Sequence, residues 1–354
     1  MKILISGICG FVGSQIALAI RQRFSGDQIE IFGVDNLSRR GSWRNVDRLR
    51  NLGICVVHGD VRLAQDLEFC RGIDWLIDAA ANPSVLAGIK DGDSRKLVDS
   101  NLGGTVNLLE CCRRENAGFI LLSTSRVYSI PPLASLSVID DGSAFQLEDE
   151  QVSKGEGVHG IREDFSTEPP VSLYGITKLA SEKIALEYGS AFDFPVWVNR
   201  CGVMAGAGQF GKADQGIFAY WLHSWREDHP LKYIGFGGSG FQVRDCLHPK
   251  DLARLLVMQM NEFPQDHPRT INVSGGMDSA ISLRQLSDFC SNRWGAKVVE
   301  AAGGNRVYDL PWVVLDHSLA SETWGWQPEM GVYEILSEIA EFAESQDDWI
   351  GLSK

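Results

Sequence analysis

The sequence predicts an α/β fold: a Rossmann-type, doubly wound parallel sheet with a smaller C-terminal substrate domain. Three observations carry this. Short β-branched runs alternate with longer amphipathic segments over residues 1–200, the pattern of successive βαβ units. A glycine-rich turn, Gly7-Ile8-Cys9-Gly10-Phe11-Val12-Gly13, follows the first such run directly and opens a helix. An acid, Asp35, closes the second run.

Taken in order, the strand-like runs are 2–6, 29–34, 54–58, 75–79, 119–123 and 195–199. Helix-like stretches lie between them at 11–24, 102–114 and 175–188, the second with apolar residues at 106, 108, 109 and 112, the spacing of one helical face. Residues 1–200 are therefore expected to form the dinucleotide-binding domain. Beyond residue 200 the pattern loosens. Gly-rich 201–211 and 235–240 read as loops, helices are expected at 216–226, 250–262, 282–293 and 331–343, and short strands at 231–234 and 270–273. Residues 201–354 are expected mainly as a substrate-binding domain over the sheet's C-terminal edge, with some segments returning to the first domain. Segment 129–170 is rich in Asp, Glu, Ser, Gly and Pro and shows no period. A stretch that long fits a lid over a site, or a plain surface excursion.

The 33 Lys+Arg against 46 Asp+Glu leave a net charge of -13, which repels a phosphate backbone over long range, so no nucleic-acid partner is expected. The eight cysteines are scattered, mostly in apolar runs, with no C-x-x-C pair and no Cys/His cluster at ligand spacing. They read as reduced, buried small side chains, and no metal site is expected. No stretch approaches the ~20 apolar residues of a membrane span, and only a short apolar run precedes the first glycine. The expectation is a soluble, unprocessed, cytoplasmic protein.

Gly7, Gly10 and Gly13 permit a tight turn and let the backbone approach a pyrophosphate. Its charge is favoured by the unpaired N–H groups of a helix N-terminus, here those of Phe11 and Val12. Asp35 follows about 20 positions on, where a carboxylate accepts hydrogen bonds from an adenosine ribose and repels a 2′-phosphate; this favours NAD over NADP. Arg39 and Arg40 keep NADP open, since arginine can neutralise that phosphate, and Asp35 could also be a turn-forming acid before Asn36. Gly59-Asp60-Val61 follows the third run and Ala79-Ala80-Ala81 the fourth. Small residues there let a flat cofactor lie on the backbone, and Asp60 can meet an adenine amino group. Each is also ordinary loop or packing chemistry.

Tyr174 and Lys178 are four apart and share a helix face. A phenol with an unperturbed pKa near ~10 is a weak base at neutral pH, but an adjacent cation stabilises its phenolate. Such a pair also arises by accident on surface helices. What favours the functional reading is Ser123-Thr124-Ser125 at the end of the fifth run, where open α/β sheets carry their sites. A hydroxyl there can orient a substrate alcohol toward the phenol.

The G-x-x-G-F-V-G start, Asp35, the G-D-V at 59–61, the S-T-x-x-V-Y around Thr124 and the Y-x-x-x-K at 174–178 together resemble the extended short-chain dehydrogenase/reductase family, in particular its nucleotide-sugar epimerases and dehydratases. Residues 242–248 with Asp251 resemble the family's substrate-domain segment, and 306–309 its late arginine. In that family, sugar 4,6-dehydratases carry Asp-Glu directly after the threonine as general acid and base. This chain has Ser125-Arg126, so the epimerase reading leads. A finer similarity is to CDP-tyvelose (CDP-paratose) 2-epimerases, over 35–41, 206–210 with 214–216, and 240–245. Two departures fall near the expected sugar pocket: Ser129 stands where glycine usually follows Val127-Tyr128, and Cys201-Gly202-Val203 where polar residues often follow Arg200.

The resemblance implies hydride transfer without net redox. A sugar hydroxyl bonded to Thr124 gives its proton to Tyr174 while the carbon gives hydride to NAD; the transient keto-sugar then turns and takes the hydride back on its opposite face. It implies that Lys178 also holds the nicotinamide ribose, and that Asn36, Asn101 and Val203 add to the cofactor site. Ser84, Ser125, Gln209, Phe210 and Gln215 would contact nucleotide or sugar, and Arg244 and Arg306 would grip the diphosphate with forked donors. Arg244 could instead pair with Asp245 or Asp251, and Phe210 could be core; His248, Trp324 and Trp326 read as packing residues. The implied partners are a nucleotide-diphosphate sugar and, by analogy with relatives, a second copy of the chain docking through the helices after Leu102 and Tyr174. A cell-surface polysaccharide pathway is the implied setting. The alternatives are a nucleotide-sugar 4-epimerase, a net reductase or dehydrogenase of a nucleotide sugar, and a non-catalytic dinucleotide sensor. Retention of both Tyr174 and Lys178 argues against the last.

Overall fold

Seven parallel strands form the central sheet of the computed structural model, which describes residues 1–85, 93–148, 155–157, 159–212, 215–302, 304 and 309–353. In chain order they are β1 (Lys2–Ser6), β2 (Glu30–Asp35), β3 (Cys55–His58), β4 (Trp75–Asp78), β5 (Gly118–Thr124), β6 (Val196–Cys201) and β7 (Thr270–Val273). Across the sheet they run β7-β6-β5-β4-β1-β2-β3, so the order reverses between β1 and β4. Helices α1 (Phe11–Arg23), α2 (Gly104–Glu115), α3 (Ser172–Phe192) and α4 (Pro249–Asn261) cover it.

Side chains alternate across a strand, and here both faces are buried. Ile3, Ile5, Ile77, Ile120 and Trp197 pack with Ile16, Leu252 and Leu256 on one side. Leu4, Leu76, Phe119, Leu121 and Val198 pack with Leu108, Leu109 and Ala185 on the other. That two-sided burial is why these strands read as continuous apolar runs.

All six strands expected in the first 200 residues form, with ends displaced by a residue or two. The run at 270–273 also forms, but as β7, pairing with β6 at the edge of the central sheet. Trp324 sits against Trp197 of β6, with ring centroids 5.1 Å apart. Residues 270–273 and Trp324 therefore both pack with the central sheet. The helix expected at 102–114 opens with a wider turn, Asp99–Gly103, before α2 begins. Such a bulge rotates one residue out of the regular face.

Beyond β6, the short strands Val203–Met204, Val243–Leu247, Ala280–Ser282 and Trp312–Val313 make a second, mixed sheet. Helices Ile217–Arg226, Leu283–Trp294 and Val332–Ser345 enclose a core of Leu222, Trp221, Leu286, Ile335 and Ile339. Within 129–170, the described residues form a short helix, Ile130–Ala134, and two small antiparallel pairs. Tyr128, Leu133, Leu136, Ile161 and Phe165 pack there against Val243, Leu310 and Trp312, so this part of the segment is built into the molecule. All eight cysteines are free; seven are buried, while Cys55, expected inside, is exposed because it begins the edge strand β3. Among the described residues no helix is long and apolar enough to cross a membrane, and no group of three or more His, Cys, Asp or Glu is placed to hold a metal ion.

Candidate active site

Five residues that end strands converge at one edge of the sheet: Ser6, Asp35, Asp78, Thr124 and Cys201. Ser6 is in register with Asp78, and Thr124 with Cys201. Ligands of open α/β sheets bind at this edge, where the strand order reverses.

The glycine turn supplies the first part. Gly7 has φ +63°, and a Cβ there would lie 2.9 Å from the Ala80 Cα; a Cβ on Gly13 would lie 2.4 Å from the Gly7 carbonyl oxygen. The backbone fits this closely only because both positions lack side chains. Gly10 caps α1 without a side-chain hydrogen bond, which leaves the first-turn N–H groups of Phe11, Val12 and Gly13 without a side-chain acceptor. This cradle fits a dinucleotide's pyrophosphate.

Asp35 accepts from the Cys9 N–H (2.9 Å) and the Leu37 N–H (2.8 Å), so it both makes the local turn and braces the glycine loop. Burial pushes its carboxyl above the usual range. Asn36 donates to Asp60 (3.0 Å), and Arg62 bonds the same carboxylate, holding it well below the usual range. Val61 packs where a Cβ on Gly104 would fall, and the Ala79 and Ala80 N–H groups donate to Ser6 Oγ. Ala81 is exposed. Arg39 donates to the Phe210 carbonyl and to Gln215 Oε1, which commits it to that loop. A 2′-phosphate would have to compete with those acceptors.

The candidate catalytic group stands on β5, α3 and β6. Thr124 Oγ1 accepts the Arg126 N–H (3.2 Å), which leaves its proton free to turn toward the neighbouring Tyr174 phenol. Burial pushes the Tyr174 phenol up to about 12; the Thr124 bond and the Arg126 guanidinium act in the opposite sense. Lys178, 2% exposed, faces Asp78, Glu182 and the Cys201 thiol; its burial depresses its pKa and the two carboxylates oppose that. Tyr174 and Lys178 are both buried one turn apart on α3, on the same helix face, and the Cys201 thiol at the end of β6 acts electrostatically on each. Asn101, turned in by the wide turn before α2, accepts from the Asn82 N–H (2.8 Å) and donates to Thr177 (3.1 Å), tying the loop after β4 to α3.

A narrow pocket adjoins this group. Ser125, Arg126, Ser172 and Tyr128 line it together with Val85, Ile130, Leu133, Val171, Leu310 and Val313. Ser84, half-buried, lies beside Val85. The other expected substrate residues are placed differently. Phe210 is core, stacked on Trp349 at 5.2 Å; Gln209 donates to the Met204 carbonyl and Gln215 accepts from Arg39. Arg244 donates to the Val243 and Leu310 carbonyls and lies 3.9 Å from Asp309. Val203, half-buried, pairs with Cys246. Arg306 lies outside the described residues.

With this geometry in view, comparison with known families is decisive. The NAD dependent epimerase/dehydratase family model matches residues 3–274. The chain belongs to that family. Among relatives of this epimerase/dehydratase, a CDP-paratose 2-epimerase of Salmonella typhi is 30% identical over 304 residues, 82% of this chain and 85% of that one. A UDP-glucuronate 4-epimerase of Thermodesulfobacterium geofontis is 24% identical over 98% and 97%. The Bacillus cereus UDP-glucuronic acid 4-epimerase, solved with UDP-glucuronic acid and NAD, shares the fold: TM-score 0.77, 24% identity, covering 98% of this chain and 99% of that one. So does the Thermotoga maritima UDP-glucose 4-epimerase, at TM-score 0.75 and 19% identity over 98% and 99%. The protein is accordingly an enzyme of an NAD-dependent family.

Sequence reasoning missed the polar frame behind the site of this epimerase/dehydratase. Ser6, Asp78 and Thr105 form one buried chain; Ser123, Glu182 and Arg200 form another. One signal was available: Glu182 lies four residues past Lys178, extending the shared helix face by one turn. Asp78 and Thr105 gave none, since only the fold brings them together.

Proposed function

We propose that the protein is a nucleotide-sugar epimerase, acting on a CDP-linked deoxy sugar of the paratose–tyvelose type. One observation carries the epimerase reading: Tyr174 and Lys178 are buried one turn apart on α3 beside the end of β5, while the two positions after Thr124 are Ser125 and Arg126, neither a carboxylate. The choice of sugar leans on the 30% identical CDP-paratose 2-epimerase and on the pocket's walls. Val85, Ile130, Leu133, Val171, Leu310 and Val313 offer no hydrogen-bonding side chain. Beside the polar Ser125, Arg126, Tyr128 and Ser172, these six apolar side chains suit sugar carbons that lack hydroxyls.

Gly7, Gly10, Gly13 and the first turn of α1 would hold the NAD pyrophosphate; Asp35 and Asn36 the adenosine ribose; Lys178 the nicotinamide ribose. Bound there, NAD supplies a hydride acceptor that also returns the hydride. Thr124, fixed by the Arg126 N–H, orients the sugar hydroxyl beside the Tyr174 oxygen. Tyr174 takes that proton and later gives it back, and Lys178 stabilises the phenolate in between. A homodimer in the cytoplasm completes the proposal: Leu173 and Ile176 stand exposed three apart in the first turns of α3, an apolar patch that a second copy would cover.

The test is to incubate the purified protein with CDP-paratose, UDP-glucose and UDP-glucuronate in turn, following each sugar by proton NMR and absorbance at about 340 nm, the nicotinamide readout. Inversion at C2 of the CDP sugar with no net absorbance change is expected, and Tyr174→Phe should abolish it. Inversion at C4 of a UDP sugar would replace the substrate assignment. Sustained absorbance change on added NADH or NADPH would make it a reductase.

A further inference from the structure

An ammonium buried as deeply as that of Lys178 keeps its proton only where fixed opposite charge surrounds it. Two elements supply such charge. Asp78 ends β4; Ser6 Oγ stands 2.7 Å from its Oδ1 and Thr105 Oγ1 2.7 Å from its Oδ2. Ser6 has no freedom in this. Its oxygen already accepts from the Ala79 and Ala80 N–H groups, so its single proton goes to Asp78. Glu182 lies one turn past Lys178 on α3. Arg200 grips it at 2.8 to 3.2 Å through two nitrogens, and the Ser123 hydroxyl donates to it as well. Ser6, Asp78, Ser123, Lys178, Glu182 and Arg200 are all buried.

The groups facing Lys178 are therefore Asp78 from β4, Glu182 from α3 and the Cys201 thiol from β6. Neither carboxylate makes a direct ion pair with it among the described residues: Glu182 is held by Arg200, and Asp78 by hydroxyls. A carboxylate free to swing would capture the ammonium. Pinned ones act through space and leave its N–H donors for other partners.

We propose that Asp78 and Glu182 are positioning residues acting through Lys178: pinned counter-charges that keep its ammonium protonated across the neutral range, available to the Tyr174 phenolate. This rests on the reading of Tyr174 and Lys178 as the reacting pair.

The test is an NMR titration of NAD-loaded protein labelled at lysine 13Cε, with the Lys178 signal assigned by its loss in Lys178→Met. Asp78→Asn keeps the side-chain shape and an acceptor for Ser6, so the fold should survive; Glu182→Gln is the second variant. Each should lower the Lys178 midpoint by on the order of one pH unit. If Lys178 loses its proton at the same pH in the wild type and both variants, the proposal is wrong. The titration needs no turnover, so it is separable from the reading beneath it: a fully active Tyr174→Phe enzyme would sink that reading whatever the lysine does.

Discussion

Asp245→Asn should make this protein more stable at alkaline pH and leave it unchanged in acid. Asp245 is fully buried in the strand Val243–Leu247, and burial pushes its carboxyl up to about 7, against the opposing pull of the Val203 and Leu315 N–H groups and the Ser274 hydroxyl. Neither of its oxygens has a well-formed hydrogen bond among the described residues. In the unfolded chain an aspartate ionises near ~3.9. The folded state thus binds this proton more tightly. The stability linked to it is fully present below the unfolded pKa and is lost as pH rises through the folded one. About three pH units at ~1.4 kcal/mol each make the cost on the order of 4 kcal/mol above neutrality. An uncharged amide of the same shape does not incur it. Urea unfolding of wild type and Asp245→Asn should show a stability difference near zero at about pH 4, growing by ~1.4 kcal/mol per unit and levelling off above about pH 7. A difference that does not vary with pH, or a variant weaker at pH 8, would refute the reasoning.

Gly13→Ala places a Cβ 2.4 Å from the Gly7 carbonyl oxygen, so the turn must open; NAD affinity by calorimetry should fall at least about tenfold, roughly 1.4 kcal/mol, with the far-ultraviolet dichroism unchanged. Arg126→Gln removes a cation that holds the Tyr174 phenol down, so that pKa rises further from about 12. The limb of kcat that increases with pH should move to higher pH, costing up to about tenfold at pH 8, and Arg126→Lys should restore most of it. Trp349→Ala loses the 2.8 Å bond to the Gln209 carbonyl and the stack on Phe210, which should cost ~3–5 kcal/mol in a melt.

The sheet was legible because a parallel strand buried on both faces is a continuous apolar run, and residues 3–5, 75–77 and 119–122 are such runs. Asp35, Thr124 and Tyr174–Lys178 were legible because each has a fixed place relative to a strand end or a helical turn. The destination of 270–273 was not, because four residues carry no record of which neighbour they pair with. Neither was the packing of 129–170. Its buried residues Leu133, Leu136, Ile161 and Phe165 have no common period, and their partners come from residues 243 and 310–315. The surroundings of Phe210 and Arg244 were hidden for the same reason: Trp349, stacked on the one, and the Leu310 carbonyl, which accepts from the other, are more than 60 residues away in the chain.

Inverting a sugar carbon requires a hydrogen to leave one face and return to the other, as a proton or as a hydride. The proton route needs a base aimed at a carbon-bound hydrogen. Around Tyr174 the described residues offer Thr124, Arg126, Lys178 and Cys201, and burial pushes the Cys201 thiol up to about 12, far from a thiolate at neutral pH. The nearby carboxylates, Asp78 and Glu182, already accept from Ser6, Thr105, Ser123 and Arg200. A phenol held by a hydroxyl and backed by a buried cation is suited to an oxygen-bound proton. The carbon-bound hydrogen is then left to travel as hydride, which is the chemistry an NAD-dependent family supplies. Ser125 and Arg126 stand where sugar dehydratases need an acid and a base, so the absence of carboxylates there points to the same division of labour between protein and cofactor.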